Sequence, residues 1–399
     1  MTEPQTAAPV SPRVLHARTA VAIVFAFNGL AAATWMSRIP EVRDILGMTP
    51  GELGRVMLAL AAGSIIALPT AGLAVGRFGA ARTVAVGSVI AGAGLMLAGF
   101  GGDPLVSAVA AATGLVALGY GSGSWDVAMN VEGAAVERLV GRTIMPRFHA
   151  AFSLGTVVGA GAGAAATALG ISVVAHLTAT GIVVVVGTLV AARQFLPRQA
   201  EADDDDAPTA SQSVWIAWRE PRTLLVGVMV LCFALIEGVA NDWLAVGLVD
   251  GYGASNAVGS AGFALFVTAM TVGRMVGSTI LDRYGRLPVL RLSGALAAGG
   301  VLVVVFGGSL PLAAVGIVLW GFGAALGFPT GMSAAADDPA RAAARVSVVA
   351  SIGYTAFLAG PPLLGWLGDH NGVLDSLLVI VAAALVGAGV APAARKLRG

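Results

Sequence analysis

The chain has 399 residues, of which 57% are hydrophobic and only 11% charged, with a formal net charge of +1. Soluble domains carry about 25% charged residues, so the composition excludes an ordinary water-soluble enzyme or binding module and places the chain in a bilayer. The near-zero charge balance gives no sign of a polyanionic partner such as nucleic acid, and the single cysteine, Cys232, excludes an intramolecular disulfide and a multi-cysteine metal site.

A polar tail, residues 1–18, opens the chain. It lacks the short apolar core and small-residue cleavage site of a secretory signal, so the first span is expected to be retained. Apolar segments able to cross a hydrocarbon core of roughly 30 Å then follow at 19–37, 52–75, 83–101, 104–130, 148–168 and 172–192. The longest polar break, 193–221, contains Glu201 and the run Asp203-Asp204-Asp205-Asp206. Such a run repels itself and buries no apolar surface, so it reads as a cytoplasmic linker. Six more spans lie at 222–243, 257–280, 288–307, 311–334, 345–368 and 373–392, with a short tail at 393–399. The predicted fold is an all-α membrane protein of twelve transmembrane helices in two six-helix bundles, 19–192 and 222–392. Of the 23 basic residues, Arg38, Arg43 and Arg55 fall on the outer side of such a chain and Arg274 inside a span, and the rest fall on the side of the tails. The positive-inside rule therefore predicts both termini in the cytoplasm, with the protein in the plasma membrane.

The halves echo each other in order. Gly76-Arg77-Phe78-Gly79 is matched by Asp282-Arg283-Tyr284-Gly285, Gly119-Tyr120-Gly121 by Gly321-Phe322-Gly323, and Ser153-Leu154-Gly155 by Ser351-Ile352-Gly353. Duplicated membrane bundles are the usual architecture of secondary transporters, with the solute site at the seam between repeats. Many of the 55 glycines lie inside spans; Gly155, Gly159 and Gly163, four apart, share one helical face that lets a neighbouring helix approach closely.

An ionisable side chain near the bilayer centre costs about 2.5–3.5 kcal/mol on insertion scales, so each such residue is a site candidate. Glu237 lies just past the middle of span seven with Asn241 on the same face, and is either a proton carrier or solute acceptor or a structural buried acid. Asp242 and Trp243 follow at the outer end, where a solvated acid beside an interfacial aromatic anchor is the alternative to function. Asp126 and Asn130 are one turn apart in span four: both face a cavity, or both sit at the inner interface if the span stops near Ser124. Asn28, in mid-span one, either bonds a polar solute or cross-links helices. His149 opens span five, as a pH sensor or as an interfacial hydrogen-bonding group. Arg274, in span eight, either snorkels to the surface or pairs with an acid of the other bundle. Arg38, before Ile39-Pro40, ends the first helix and is placed to attract an anionic or hydroxylated solute.

Twelve spans, the long central loop and the repeated loop signature resemble the major facilitator superfamily over essentially the whole chain. Trp35-Met36-Ser37-Arg38-Ile39-Pro40, Asp126-Val127-Ala128-Met129-Asn130, His149-Ala150-Ala151-Phe152-Ser153-Leu154-Gly155, Glu237-Gly238, Asp242-Trp243 and Gly360-Pro361-Pro362 together resemble its YbjJ-type branch, related to fucose-permease-like sugar transporters. The resemblance implies alternating access by rocking of two bundles about a cavity lined chiefly by spans one, four, seven and ten. It also implies a gating latch at the loop signature: Arg77, Gly79 and Arg82 in the first copy, Asp282, Arg283, Gly285 and Arg286 in the second. The first copy has Gly76 where the family has aspartate, which shifts the expected gating role to the second.

The chain has no His-Glu-x-x-His, no phosphate loop and no Gly-x-Ser-x-Gly elbow, and its four histidines are scattered, so neither an enzyme nor a metal or cofactor is expected. The sequence thus predicts a monomeric secondary transporter of a small polar solute, sugar-like or another organic metabolite, coupled to protons through Glu237 or Asp126. A proton-antiport exporter of amphipathic compounds is the alternative within transport, and a membrane sensor without flux the alternative outside it.

Overall fold

A computed structural model describes residues 11–141, 144–197, 215–338 and 341–395. The acidic run Asp203 to Asp206 lies outside the described residues. The first bundle comprises α1 (Pro12–Met36), α2 (Ile39–Leu46), α3 (Pro50–Phe78), α4 (Ala80–Gly102), α5 (Ala108–Val140), α6 (Met145–Ala168) and α7 (Val173–Ala192). The second comprises α8 (Pro221–Tyr252), α9 (Asn256–Tyr284), α10 (Arg286–Phe306), α11 (Leu310–Ala324), α12 (Gly327–Ala335), α13 (Ala342–Asn371), α14 (Val373–Ser376) and α15 (Val379–Val390). Among the described residues eleven helical segments are long and apolar enough to cross a membrane. The remaining one, α5, is 33 residues long but is diluted by the glycines and serines of residues 119–124.

Local chemistry sets the helix starts. Ser11, Thr49, Ser107, Ser172 and Ser255 each accept a backbone N–H of the first turn of α1, α3, α5, α7 and α9, which relieves donors that have no partner within the helix. Pro40 ends the first span as expected: α1 stops at Met36 and Pro40 enters the separate short helix α2. The tenth and twelfth spans are each broken, between α11 and α12 and between α14 and α15.

Both loop signatures fold alike. Gly79 (φ 81°, ψ 162°) and Gly285 (φ 77°, ψ 165°) each close one helix and open the next within a single residue, in a region essentially restricted to glycine. The glycine face of α6 packs as predicted, since a Cβ on Gly155 would strike the Ala26 carbonyl of α1 and one on Gly159 would lie 2.7 Å from the Leu30 carbonyl. Two seams join the bundles, α3 against α13 and α6 against α9, with α2 also touching α8 and α9.

Candidate functional site: the interbundle space and its closed end

The molecule has a tail end, where α1 begins, and a far end, where α1 stops. At the far end the bundles are bonded directly to each other. Arg43 Nη1 donates to Asp250 Oδ2 at 2.6 Å, Asn256 Nδ2 donates to Asp44 Oδ2 at 2.9 Å, and the Gly51 N–H donates to Asp369 Oδ1 at 2.9 Å. The Ser260 hydroxyl donates to the Ser37 carbonyl. Arg43 also pairs with its neighbour Asp44 at 2.8 Å, so one nearly buried guanidinium neutralises a carboxylate from each bundle. The sequence singled out none of these acceptors, because charges near helix ends look like solvated loop residues until the opposite bundle is placed against them.

Deeper between the bundles, Glu237 on α8 and Arg274 on α9 form an ion pair, with Nη2 donating to both carboxylate oxygens at 3.0 and 2.8 Å. The expected alternatives for Arg274, snorkelling or pairing across bundles, therefore give way to a pair within the second bundle. Arg274 and Glu237 keep 28% and 17% of their side-chain surface accessible, so the pair lines a space rather than filling a core. His149 on α6 lies within electrostatic reach of Arg274 across the second seam and packs edge-on against Phe25, with ring centroids 5.2 Å apart.

Asp126 sits mid-helix, since α5 runs on to Val140 instead of stopping near Ser124. The residue is exposed and its carboxylate lies within electrostatic reach of Tyr354 on α13 of the other bundle, which places it on the interbundle side. Asn130 folds back onto it, with Nδ2 donating to the Asp126 carbonyl at 2.8 Å and to Oδ1 at 3.4 Å. Asp242 departs from its expected interfacial position. It precedes Asp250 by eight residues, so it lies about 12 Å inside the closed end at 1.5 Å per residue. Its neighbour Trp243 is fully buried and is no interfacial anchor. Among the described residues, the ion pairs include neither Asp126 nor Asp242. Asn241 is half-buried next to Asp242.

Two candidates turn inward to hold the first bundle together. Asn28 is buried and bonds α5 through the Ser122 carbonyl (3.5 Å) and the Met129 sulfur (3.9 Å), which is its helix-linking role. Arg38 is fully buried; it donates to the Ile171 carbonyl at 2.6 Å and pairs with Glu41 at 2.8 Å, so it is turned away from any solute.

At the tail end, among the described residues, the ion pairs of the loop signatures stay within the second bundle. Arg77, Arg82, Asp282 and Arg283 are exposed, and Arg77 and Arg283 lie over the rings of Phe78 and Tyr284 that follow them. Arg286 bonds both oxygens of Asp337 at 2.9 Å and Ser333 at 2.9 Å, and Arg222 joins the same Asp337 at 2.8 Å. Of the expected latch residues, Arg286 is thus, in this conformation, a brace inside the second bundle.

The sequence profile of the Major Facilitator Superfamily matches residues 21–361. An uncharacterized transporter of Sinorhizobium fredii, y4wD, is 33% identical over 361 residues, covering 90% of this chain and 92% of the relative. Among solved structures, a point mutant of the nucleoside transporter NupG superposes with a TM-score of 0.78 at 14% identity, covering 94% of this chain and 99% of its own. A point mutant of the Escherichia coli fucose:proton symporter FucP superposes with a TM-score of 0.64 at 14% identity, covering 95% and 98%.

Proposed function

Because the chain belongs to the Major Facilitator Superfamily, we propose that it moves a small polar solute across the plasma membrane by alternating access, coupled to protons, as a monomer with both termini in the cytoplasm. The observation behind this reading is the contrast between the closed far end and Asp126, an exposed acid midway along α5 that faces the other bundle. With the tails cytoplasmic, the far end is extracellular and the structure faces inward. Asp126, Asn130, Asn241 and Asp242 are the polar groups offered to solute, with His149 at the second seam. Solved relatives of this fold that carry nucleosides and fucose supply the solute range to try first.

Asp126 is the better proton carrier of the two acids expected for that role. Glu237 already holds the Arg274 guanidinium with both oxygens, so a proton arriving there must break an ion pair, whereas among the described residues the hydrogen-bond partner of the Asp126 carboxylate is Asn130, at 3.4 Å. Coupling requires that the proton bind more tightly in one conformation than in the other, and a carboxylate between two moving bundles changes its surroundings in every cycle.

The test is Asp126→Asn in proteoliposomes loaded with a panel of monosaccharides and nucleosides. The variant is expected to lose accumulation driven by a pH gradient while retaining exchange of solute for solute. Accumulation equal to that of the parent would overturn the assignment.

A further inference from the structure

The start of α3 leaves one backbone donor without a partner in its own bundle. The first helical residue is Pro50, which has no N–H. The Glu52 N–H is taken by the Thr49 hydroxyl at 3.3 Å, and the Glu52 carboxylate returns the bond to the Thr49 N–H at 3.0 Å. Between them the Gly51 N–H has no capping group among the described residues of the first bundle, and the acceptor it finds is Asp369, at the end of α13 in the second bundle. The positive end of the α3 dipole faces the same carboxylate.

The seam is built around this bond. A Cβ on Gly51 would overlap the Asp369 carboxylate, one on Gly54 would lie 2.5 Å from the Pro361 carbonyl, and one on Gly365 would lie 2.7 Å from the Pro50 carbonyl. Three glycines thus bring two helix backbones of opposite bundles close enough for a side chain of one to cap the other. The opposite seam differs. Ser255 caps α9 from within its own bundle, and the described cross-bundle hydrogen bonds of α9 run from the Asn256 side chain to Asp44 and from the Ser260 hydroxyl to the Ser37 carbonyl.

We propose that Asp369 is a latch: its carboxylate completes the cap of α3 only while the far end is closed, and release of the Gly51 N–H to water accompanies opening. The inference rests on the alternating-access reading above. It gives the rocking motion a defined bond to break, and the bond is made by a backbone amide whose own bundle cannot replace the acceptor.

The experiment is a pulsed spin-label distance measurement between labels at Arg55→Cys and Asn371→Cys, on either side of the seam, with the buried Cys232 replaced by serine. In the parent, a short-distance population marks the closed far end and a longer one the open. Removal of a helix cap shifts an equilibrium by about fivefold, so Asp369→Ala should raise the open-to-closed ratio by about that factor. Gly51→Ala should shift it in the same direction from the other side of the bond, and Asp369→Asn, which keeps an acceptor oxygen, should shift it less than Asp369→Ala. Parent-like distributions in both Asp369→Ala and Gly51→Ala overturn the latch. Loss of folding in both also overturns it, since a bond made in one conformation cannot be required to assemble each bundle. A parent with a single distance that neither pH nor solute changes would instead defeat the alternating-access reading, and the latch with it; two populations indifferent to Asp369 would defeat the latch alone.

Discussion

The two ends of the molecule use polar side chains in opposite ways. At the far end, Arg43, Asp44, Asp250, Asn256, Asp369 and Gly51 bond across the bundles. At the tail end, the described ion pairs of Arg222, Arg286, Arg341 and Arg345 with Asp337, Glu220 and Asp338 all join residues of the second bundle. On the alternating-access proposal, bonds of the first kind exist in one conformation and set the balance between states, whereas bonds of the second kind move as a body and set only how well the bundle holds together. A charge therefore cannot be read as a gate from its position at a helix end alone. What decides is whether its partner belongs to the other rigid body.

The change with the largest expected effect tests the first half of that contrast. Gly54→Leu places its Cβ within 2.5 Å of the Pro361 carbonyl before the rest of the side chain is counted. Overpacking of this kind costs about 1–3 kcal/mol, which depletes the closed state by roughly fivefold to somewhat over a hundredfold, since 1.4 kcal/mol is a factor of ten. The variant should fold, because the clash exists only when the far end is closed, and should lose transport several-fold or more while exposing a cysteine introduced at the far end, Asn371→Cys in parent and variant alike, to membrane-impermeant reagents. If its labelling matched that of the parent, the seam would not be the closing contact.

How much of this was legible in the sequence follows from the range of each interaction. Span number, duplication, the Gly155 to Gly163 packing face and the end of α1 at Pro40 depend on periodicity, composition and backbone sterics, all of which are local, and the structure has them in place. Asp126 was legible as a site candidate but not its depth, because the helix continues through Glu132 and Glu137, which a hydropathy reading takes as the interface. These acids are used instead to cap chain segments: Glu132 accepts the Leu196 N–H and Glu137 the Ile144 and Met145 N–H groups, all at 2.6 Å. The Glu237–Arg274 pair joins residues 37 apart and the Asp369 bond residues 318 apart, and nothing in the spacing of either pair announces it.

A middle-sized effect bears on the two loop signatures. Gly79 and Gly285 share one backbone conformation even though the first copy has Gly76 in place of the aspartate, so what the two glycines have in common is the helix-to-helix turn. Alanine at either position is strained by about 1–3 kcal/mol. Gly79→Ala and Gly285→Ala should therefore lower thermal stability in detergent by similar amounts, with little change in the balance of states. A loss confined to Gly285→Ala, accompanied by a shift in that balance, would restore a gating role to the second copy.

The smallest effect lies at the tail end and separates bracing from gating by its pH dependence. Bonds from Arg345 (2.6 Å) above all, with Thr223 and Arg341, hold the Glu220 carboxyl down at about 2, well below its ordinary 4.5. A depressed carboxyl contributes stability that is complete above the unfolded value near 4.5 and is lost as pH falls through about 2. The group stands at the helix boundary within reach of water, so screening limits its contribution to about 1 kcal/mol or less. Glu220→Gln should thus lower the unfolding midpoint slightly at pH 7, and the gap from the parent should narrow as pH is lowered from about 4.5 toward 2. Because all its partners move with the second bundle, the same variant should leave the far-end distance distribution unchanged; a shift there would mean that tail-end braces also report on the state of the gate.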